Sequence, residues 1–339
     1  MSKVIATVNM KGGVGKTTLT VNIATCLAKI HRKKVLVVDL DTQISATLSM
    51  ISPAEFAKCR KENRTLRHLV SQAIARYGIQ VNDPEEKVYQ IKDIVIPHVC
   101  KVQGLDLLVG DIDLYDEFLV SEMLYNRSLL YEEKQSFQQT WSRFEQTLIK
   151  GILASAVKNY DFIILDCAPG YNLITRSSII ASDYYLMPAK PEPLSVVGIQ
   201  LLERRIEKLR EVYREENSIN IQLLGIVFSM SAGFTLSRYY QKVMDRVSND
   251  FGSDKIFKTK IPNDVNIAKA VDNFVPASLA NPNSAGAKAF AEVTVELLKK
   301  LEVSLGKKEQ TSRLSLVDLM TSAKITWMFC CCRQNPKNE

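Results

Sequence analysis

Lys11-Gly12-Gly13-Val14-Gly15-Lys16-Thr17-Thr18 is the stretch whose reading decides the fold of this chain. Glycines at 12, 13 and 15 let backbone N–H groups converge on one anion without interference from a Cβ atom. A helix starting at Lys16 aims its positive end at the same anion. Lys16 then reaches the β and γ phosphates of a nucleotide, and Thr17 offers a hydroxyl to magnesium. This chemistry needs a strand before the loop and a helix after it. Val4-Ile5-Ala6-Thr7-Val8 supplies the strand, and a helical pattern from Thr17 to about Ile30 supplies the helix. The usual pattern begins with glycine, whereas here Met10 stands in that place and a second lysine, Lys11, sits beside the turn.

Outward from the loop, His31-Arg32-Lys33-Lys34 is a basic turn, and Val35-Leu36-Val37-Val38-Asp39 is a continuous apolar run. Such a run suits a parallel strand covered on both faces. Further strands are expected at Leu105–Val109, Phe162–Asp166, Tyr184–Pro188 and Leu223–Ser229, with an edge strand at Ile256–Ile261. Helical stretches over roughly 137–158, 195–216, 234–250 and 284–304 separate the later strands. The alternation predicts an α/β fold: a predominantly parallel, doubly wound sheet flanked by helices. Residues 1–305 read as one nucleotide-binding domain, with 52–98 a mostly helical insertion, and 306–339 as a tail outside it.

Three carboxylates follow predicted strands: Asp39, Asp41 and Asp166. At the C-terminal ends of neighbouring parallel strands they converge on the crevice where ligands bind. One would serve the magnesium shell and another the attacking water.

Composition is ordinary for a globular protein, with 46% hydrophobic and 24% charged residues. The formal charge of +7 fits a mildly basic enzyme or a surface for nucleic acid or acidic lipid. Of the seven cysteines, the four scattered singly show no zinc-ligand spacing, and none of the three histidines pairs with a Cys or another His at metal-ligand spacing. No run is long and apolar enough to span a membrane, and the chain enters its first strand without an address segment, so a cytoplasmic protein is expected.

Lys-Gly-Gly-Val-Gly-Lys-Thr-Thr, then Asp39-x-Asp41-x-Gln43, then Asp166-x-x-Pro169-Gly170 together resemble the ParA/MinD family of P-loop ATPases with a deviant phosphate loop. Ile261-Pro262-Asn263-Asp264 and the residues to Ala270 are similar to the family's late motif near the adenine, which assigns Pro262 and Asp264 to nucleotide binding. The resemblance covers about residues 1–302 and implies ATP with Mg2+ bound in a sandwich homodimer. Lys11 would cross to the partner's phosphates, and Lys16 would hold the nucleotide within the subunit. Asp41 would support the attacking water. Thr17, Asp39 and Asp166 would serve the metal, with Asp39 in the first switch and Asp166 acting through water. Pro169-Gly170 would be the second switch.

Within the family, the chain resembles partition ATPases, which implies non-specific DNA binding on the nucleoid and a ParB-like adaptor that stimulates hydrolysis. Candidate phosphate contacts are Arg204 and Arg205, with Lys208 and Arg210 on the same helix. Arg238, Lys242 and Arg246, spaced by four, share the next helix's face, and Lys258 and Lys260 share a strand face. No DNA-reading module precedes the loop, so operator recognition is not expected. The alternative is a membrane-associated positioning ATPase. Its anchor would be the tail, where Leu314, Leu316, Val317, Leu319 and Met320 precede Trp327-Met328-Phe329 and Cys330–Cys332. An electron-transfer relative would need a shared cluster, for which Cys100 and Cys167 are the residues to inspect.

Overall fold

The computed structural model describes residues 2–77, 89–130, 136–214, 219–229 and 237–304. Strand β1 (Lys3–Thr7) leads through the glycine loop into helix α1 (Lys16–Lys29), and β2 (Val35–Asp39) follows. All five β2 residues are buried, which accounts for the unbroken apolar run. Four helices come next: α2 (Ser45–Leu48), α3 (Pro53–Lys61), α4 (Leu66–Tyr77) and α5 (Ile91–Ile94). Helix α3 starts where it does because Ser52 and Glu55 form a reciprocal capping box and Pro53 takes the first turn.

The chain continues with β3 (Leu105–Leu108), α6 (Glu117–Leu130), α7 (Phe137–Leu153), β4 (Phe162–Asp166), α8 (Leu173–Ala181) and β5 (Tyr184–Ala189). It ends with α9 (Pro193–Val212), β6 (Gln222–Phe228), α10 (Ser237–Phe251), α11 (Val265–Asp272), α12 (Ala277–Ala280) and a last helix, α13, over 285–304. Residues 1–294 make one compact unit. The remainder forms a second unit, described only over 295–304, where α13 continues. The tail expected from 306 lies outside the described residues, as do 78–88 of the expected insertion.

The six strands form one sheet in the order β3-β2-β4-β1-β5-β6, and every pairing is parallel. After β3 the chain returns to place β4 between β2 and β1, then crosses to β5 on the other side. The C-terminal ends of β1, β4 and β2 therefore stand side by side.

Three expectations change. Ile256–Ile261 is not a continuous strand: isolated bridges pair Ile256 with Ile226 of β6 and Ile261 with Ser229 just beyond it, with a bend at 258–259 between them. Its approach depends on Gly225 in β6, where a Cβ would lie 2.6 Å from the Lys255 carbonyl oxygen and 2.7 Å from the Phe257 ring. Second, the 52–98 segment, expected as a mostly helical insertion, contributes Leu66, Leu69, Val70, Ile91 and Ile94 to the main core. Third, α6, α8 and α11 stand where no helix was expected. Helix α8, Leu-Ile-Thr-Arg-Ser-Ser-Ile-Ile-Ala, has weak helix formers. It forms because the Asn172 side chain caps the Thr175 amide at 2.8 Å and most of its residues are buried.

Candidate nucleotide site

The phosphate loop is braced before it turns. Asn9 donates from Nδ2 to the Pro188 carbonyl at 2.8 Å, and its Oδ1 accepts from the Lys11 amide at 2.8 Å. Gly13 and Gly15 take left-handed φ values of 70° and 90°, open to glycine and strained for other residues. Gly15 is the N-cap of α1 and carries no side-chain cap, so the first amides of the helix face outward. A Cβ at Gly12, Gly13 or Gly15 would meet nothing within 4 Å. The loop is open to solvent at these positions, so an anion can approach its backbone amides.

Lys16 is only 7% exposed. Its Nζ donates to the Lys11 carbonyl at 3.2 Å. Burial lowers its pKa, while the charges of Asp166 and Asp41 act in the opposite direction.

Parallel register sets Asp39 beside Asp166 at the ends of β2 and β4. Both are fully buried. Burial pushes Asp39 up to about 6 and Asp166 up to about 7, and Asp166 is raised further by the Asp39 charge. Asp166 accepts from the Thr17 hydroxyl at 2.7 Å and the Thr20 hydroxyl at 3.1 Å. Asp39 accepts from the Asp41 amide at 3.3 Å and the Thr47 amide at 2.7 Å, so both its oxygens hold the chain that follows β2. Asp41 is 8% exposed and accepts from the Gln43 amide at 3.0 Å, which shapes the turn.

These donors fit a magnesium ion. Two buried carboxylates side by side call for positive charge, and the oxygen donors are the hard kind that Mg2+ prefers. The Thr17 proton is committed to Asp166, which leaves the hydroxyl lone pairs for a metal. Among the described residues no group of three or more His, Cys, Asp or Glu could hold a metal unaided. Mg2+ is ordinarily held jointly by one or two protein groups, phosphates and water.

Lys11 turns to its own chain, pairing with Glu192 at 3.0 Å. Asp264 caps α11: it accepts from the Asn266 amide at 2.9 Å and the Gly286 amide at 2.8 Å, which lowers its pKa. Pro262 follows Ile261, whose amide donates to the Phe228 carbonyl at the end of β6. After Pro169-Gly170, the Tyr171 ring lies near two guanidinium groups, its centroid 5.6 Å from Arg176 and 5.1 Å from Arg205. Its hydroxyl donates to the Arg205 carbonyl at 3.1 Å, which ties the segment after Pro169-Gly170 to α9.

Among the basic candidates, Arg238, Lys242 and Arg246 are exposed along one face of α10, and Arg204, Arg205 and Lys208 are exposed on α9. Arg210 is committed to the Ile221 carbonyl at 2.7 Å and to Glu203. Lys258 and Lys260 do not share a strand face, because the bend at 258–259 replaces the expected strand. Cys167 is fully buried, and its thiol is pushed up to about 12 by burial. The Cys100 thiol donates to the Met50 carbonyl.

Sequence reasoning missed Thr20, Thr47, Tyr171 and Glu192. Thr20 lies one turn beyond Lys16 on α1, so helical periodicity could have found it. Glu192 and Thr47 carry no local signal, because their partners come from other parts of the fold.

The family model described as "AAA domain" matches residues 2–221. The sporulation initiation inhibitor protein Soj of Bacillus subtilis is 30% identical over 298 residues, covering 88% of this chain and 98% of Soj. The virulence plasmid ParA family protein pGP5-D of Chlamydia psittaci is 29% identical, with 88% and 95% of the two chains covered. In three dimensions the chain is similar to the septum site-determining protein MinD of Pyrococcus horikoshii complexed with Mg-ADP. The TM-score is 0.54 at 19% identity, with 88% of this chain and 96% of that one covered.

Proposed function

This chain belongs to the ParA/MinD family of P-loop ATPases, and from that premise we propose that it is a partition-type ATPase whose bound ATP controls dimerisation and DNA binding. The observation that carries the reading is the buried pair Asp39 and Asp166 beside the glycine loop, with Thr17 at the start of α1 donating to Asp166. In this reading the loop amides and Lys16 bind the β and γ phosphates, and Pro262 and Asp264 border the nucleotide. Thr17 and Asp166 hold Mg2+, with Asp39 anchoring the loop that carries Asp41. The ion neutralises charge on the phosphates. Asp41 orients water for in-line attack.

Lys11 leaves Glu192 and reaches across to the nucleotide of a second copy. The exposed arginines and lysines of α9 and α10 then contact DNA phosphates without reading sequence. A ParB-like adaptor stimulates hydrolysis and ends the DNA-bound state, so the protein works on the nucleoid in the cytoplasm. The domain carrying these roles runs to about residue 305. Among the described residues no helix is long and apolar enough to cross a membrane.

The test is retention of the full chain on non-specific duplex DNA. Retention with ATP and Mg2+ that falls steeply with salt and is absent with ADP supports the reading. Equal retention in ATP, ADP and no nucleotide would sink it.

A further inference from the structure

At the end of the sheet opposite the phosphate loop lies a cleft of about 1090 Å³. Its walls come from the turn before β2, the segment before β3 and the residues before β4. Helix α1 runs from Lys16 to Lys29 and separates it from the loop by about 20 Å. Lys29, Arg32, Lys33, Lys34 and Lys101 all line it. None of the five forms an ion pair with a described residue. The one lining carboxylate, Asp106, is committed to the wall: it accepts from the His98 amide at 2.9 Å and the Tyr160 hydroxyl at 2.8 Å. Val102, Val275 and Leu279 add an apolar surface.

Such a concentration of like charge has a cost, because neighbouring ammonium groups repel. Capping of α1 does not explain it. The Cys26 carbonyl already accepts from the Ile30 and His31 amides, and the Leu27 carbonyl from the Lys33 amide. The backbone is also held in an unusual form here. Of the seven non-glycine residues with left-handed φ among the described residues, Arg32, His98, Cys100 and Lys101 line this cleft. The Gly104 amide donates to His98 Nδ1 at 3.1 Å and the Val35 amide to the Gly104 carbonyl at 2.7 Å, which keeps the rim in that shape. Left-handed backbone retained beside cations that have no ion-pair partner among the described residues points to a function for this rim.

We propose that this cleft is a second anion site, separate from the nucleotide loop, that takes a compact, multiply phosphorylated ligand. Clustered phosphates match the five cations in charge, and the cleft volume suits a ligand of nucleotide size. The phosphates could belong to a free polyphosphate or to successive links of a nucleic-acid strand, and the experiment separates the two.

Inorganic tripolyphosphate and a short single-stranded DNA are each titrated calorimetrically into the full chain saturated with ADP. The same titrations use the variant Lys33→Glu with Lys101→Glu. Competition at the phosphate loop is common to both proteins, so their difference reports the cleft. The expected result is at least about tenfold weaker binding of tripolyphosphate in the variant, with ADP affinity unchanged. Weakening of the DNA strand alone assigns the phosphates to nucleic acid. Unchanged affinity for both probes, or binding of neither, overturns the proposal. If the variant loses ADP as well, Lys33→Gln with Lys101→Gln gives the reading by the same criteria.

Discussion

Lys11 Nζ lies 3.0 Å from the Glu192 carboxylate, so the lysine beside the phosphate loop is held by the first residue of the α9 junction in its own subunit. The side chains are 41% and 35% exposed, and such a pair adds at most about 1 kcal/mol to stability. Its importance lies in where it keeps Lys11. Lys11→Ala should bind nucleotide with little change and fail to dimerise with ATP, read by light scattering. Normal ATP-dependent dimers in that variant remove the role across the interface. Glu192→Gln should melt at nearly the same temperature and dimerise at lower protein concentration; weaker dimers would place Glu192 itself against the partner.

The Asp39–Asp166 pair predicts a pH dependence whose sign can be worked out. Both folded pKa values, about 6 and about 7, lie above the ordinary carboxylate value of 3.8. The folded state therefore binds protons more tightly than the unfolded chain. The stability this gives is complete below about pH 4 and is lost as pH rises through 6 to 7. Thermal melts without nucleotide should show that decline, and Asp166→Asn should flatten it and raise the melting temperature at pH 8 by a few degrees. Added Mg2+ with nucleotide should restore stability at pH 8 in the unaltered protein. A flat profile in the unaltered protein contradicts the account.

Asp41 is buried at 8% exposure, and its carboxylate accepts from the Gln43 amide with no hydroxyl donor among its described hydrogen bonds. Asp41→Ala should keep ATP binding and dimers and reduce turnover by about a hundredfold or more. Phosphate release at the unaltered rate takes Asp41 out of the water-orienting role.

The exposed row Arg238, Lys242 and Arg246 gives a salt test. Changing all three to alanine should weaken DNA retention at every sequence tried. It should lower the slope of log affinity against log salt by about 2 to 3, since each phosphate contact contributes about 0.9. An unchanged slope moves the DNA face elsewhere.

Gly225→Ala tests the packing of the 255–261 segment. Its Cβ would press on the Lys255 carbonyl and the Phe257 ring, and Phe257 is 1% exposed, so neither can move freely. Overpacking of this kind costs about 1–3 kcal/mol in a denaturant melt. A neutral result would show that the segment lifts off β6 easily.

Much of the site was legible because it is local. The loop Lys11–Thr18 lies between a strand and a helix whose periods are plain, and Val35–Asp39 and Phe162–Asp166 read as buried parallel strands from their unbroken apolar runs. Helices α1, α7, α9 and α10 were legible for the same reason. Helix α8 and the bent segment at 256–261 were not, because burial and one missing Cβ decide them against local propensity.

The amino-acid sequence by itself thus determined a phosphate loop, an alternating parallel fold and three carboxylates at strand ends. These rest on backbone freedom at glycine and on side-chain period, which neighbours along the chain specify. Only the tertiary structure decided which of these groups meet. The return of β4 between β2 and β1 sets Asp166 against both Asp39 and Thr17, 127 and 149 residues away in sequence. The pairing of β5 with β1 brings Glu192 to Lys11, and that of β2 with β3 brings Lys101 to the cations at the end of α1. Such meetings depend on strand order and burial, and strand order is set by how the whole core closes.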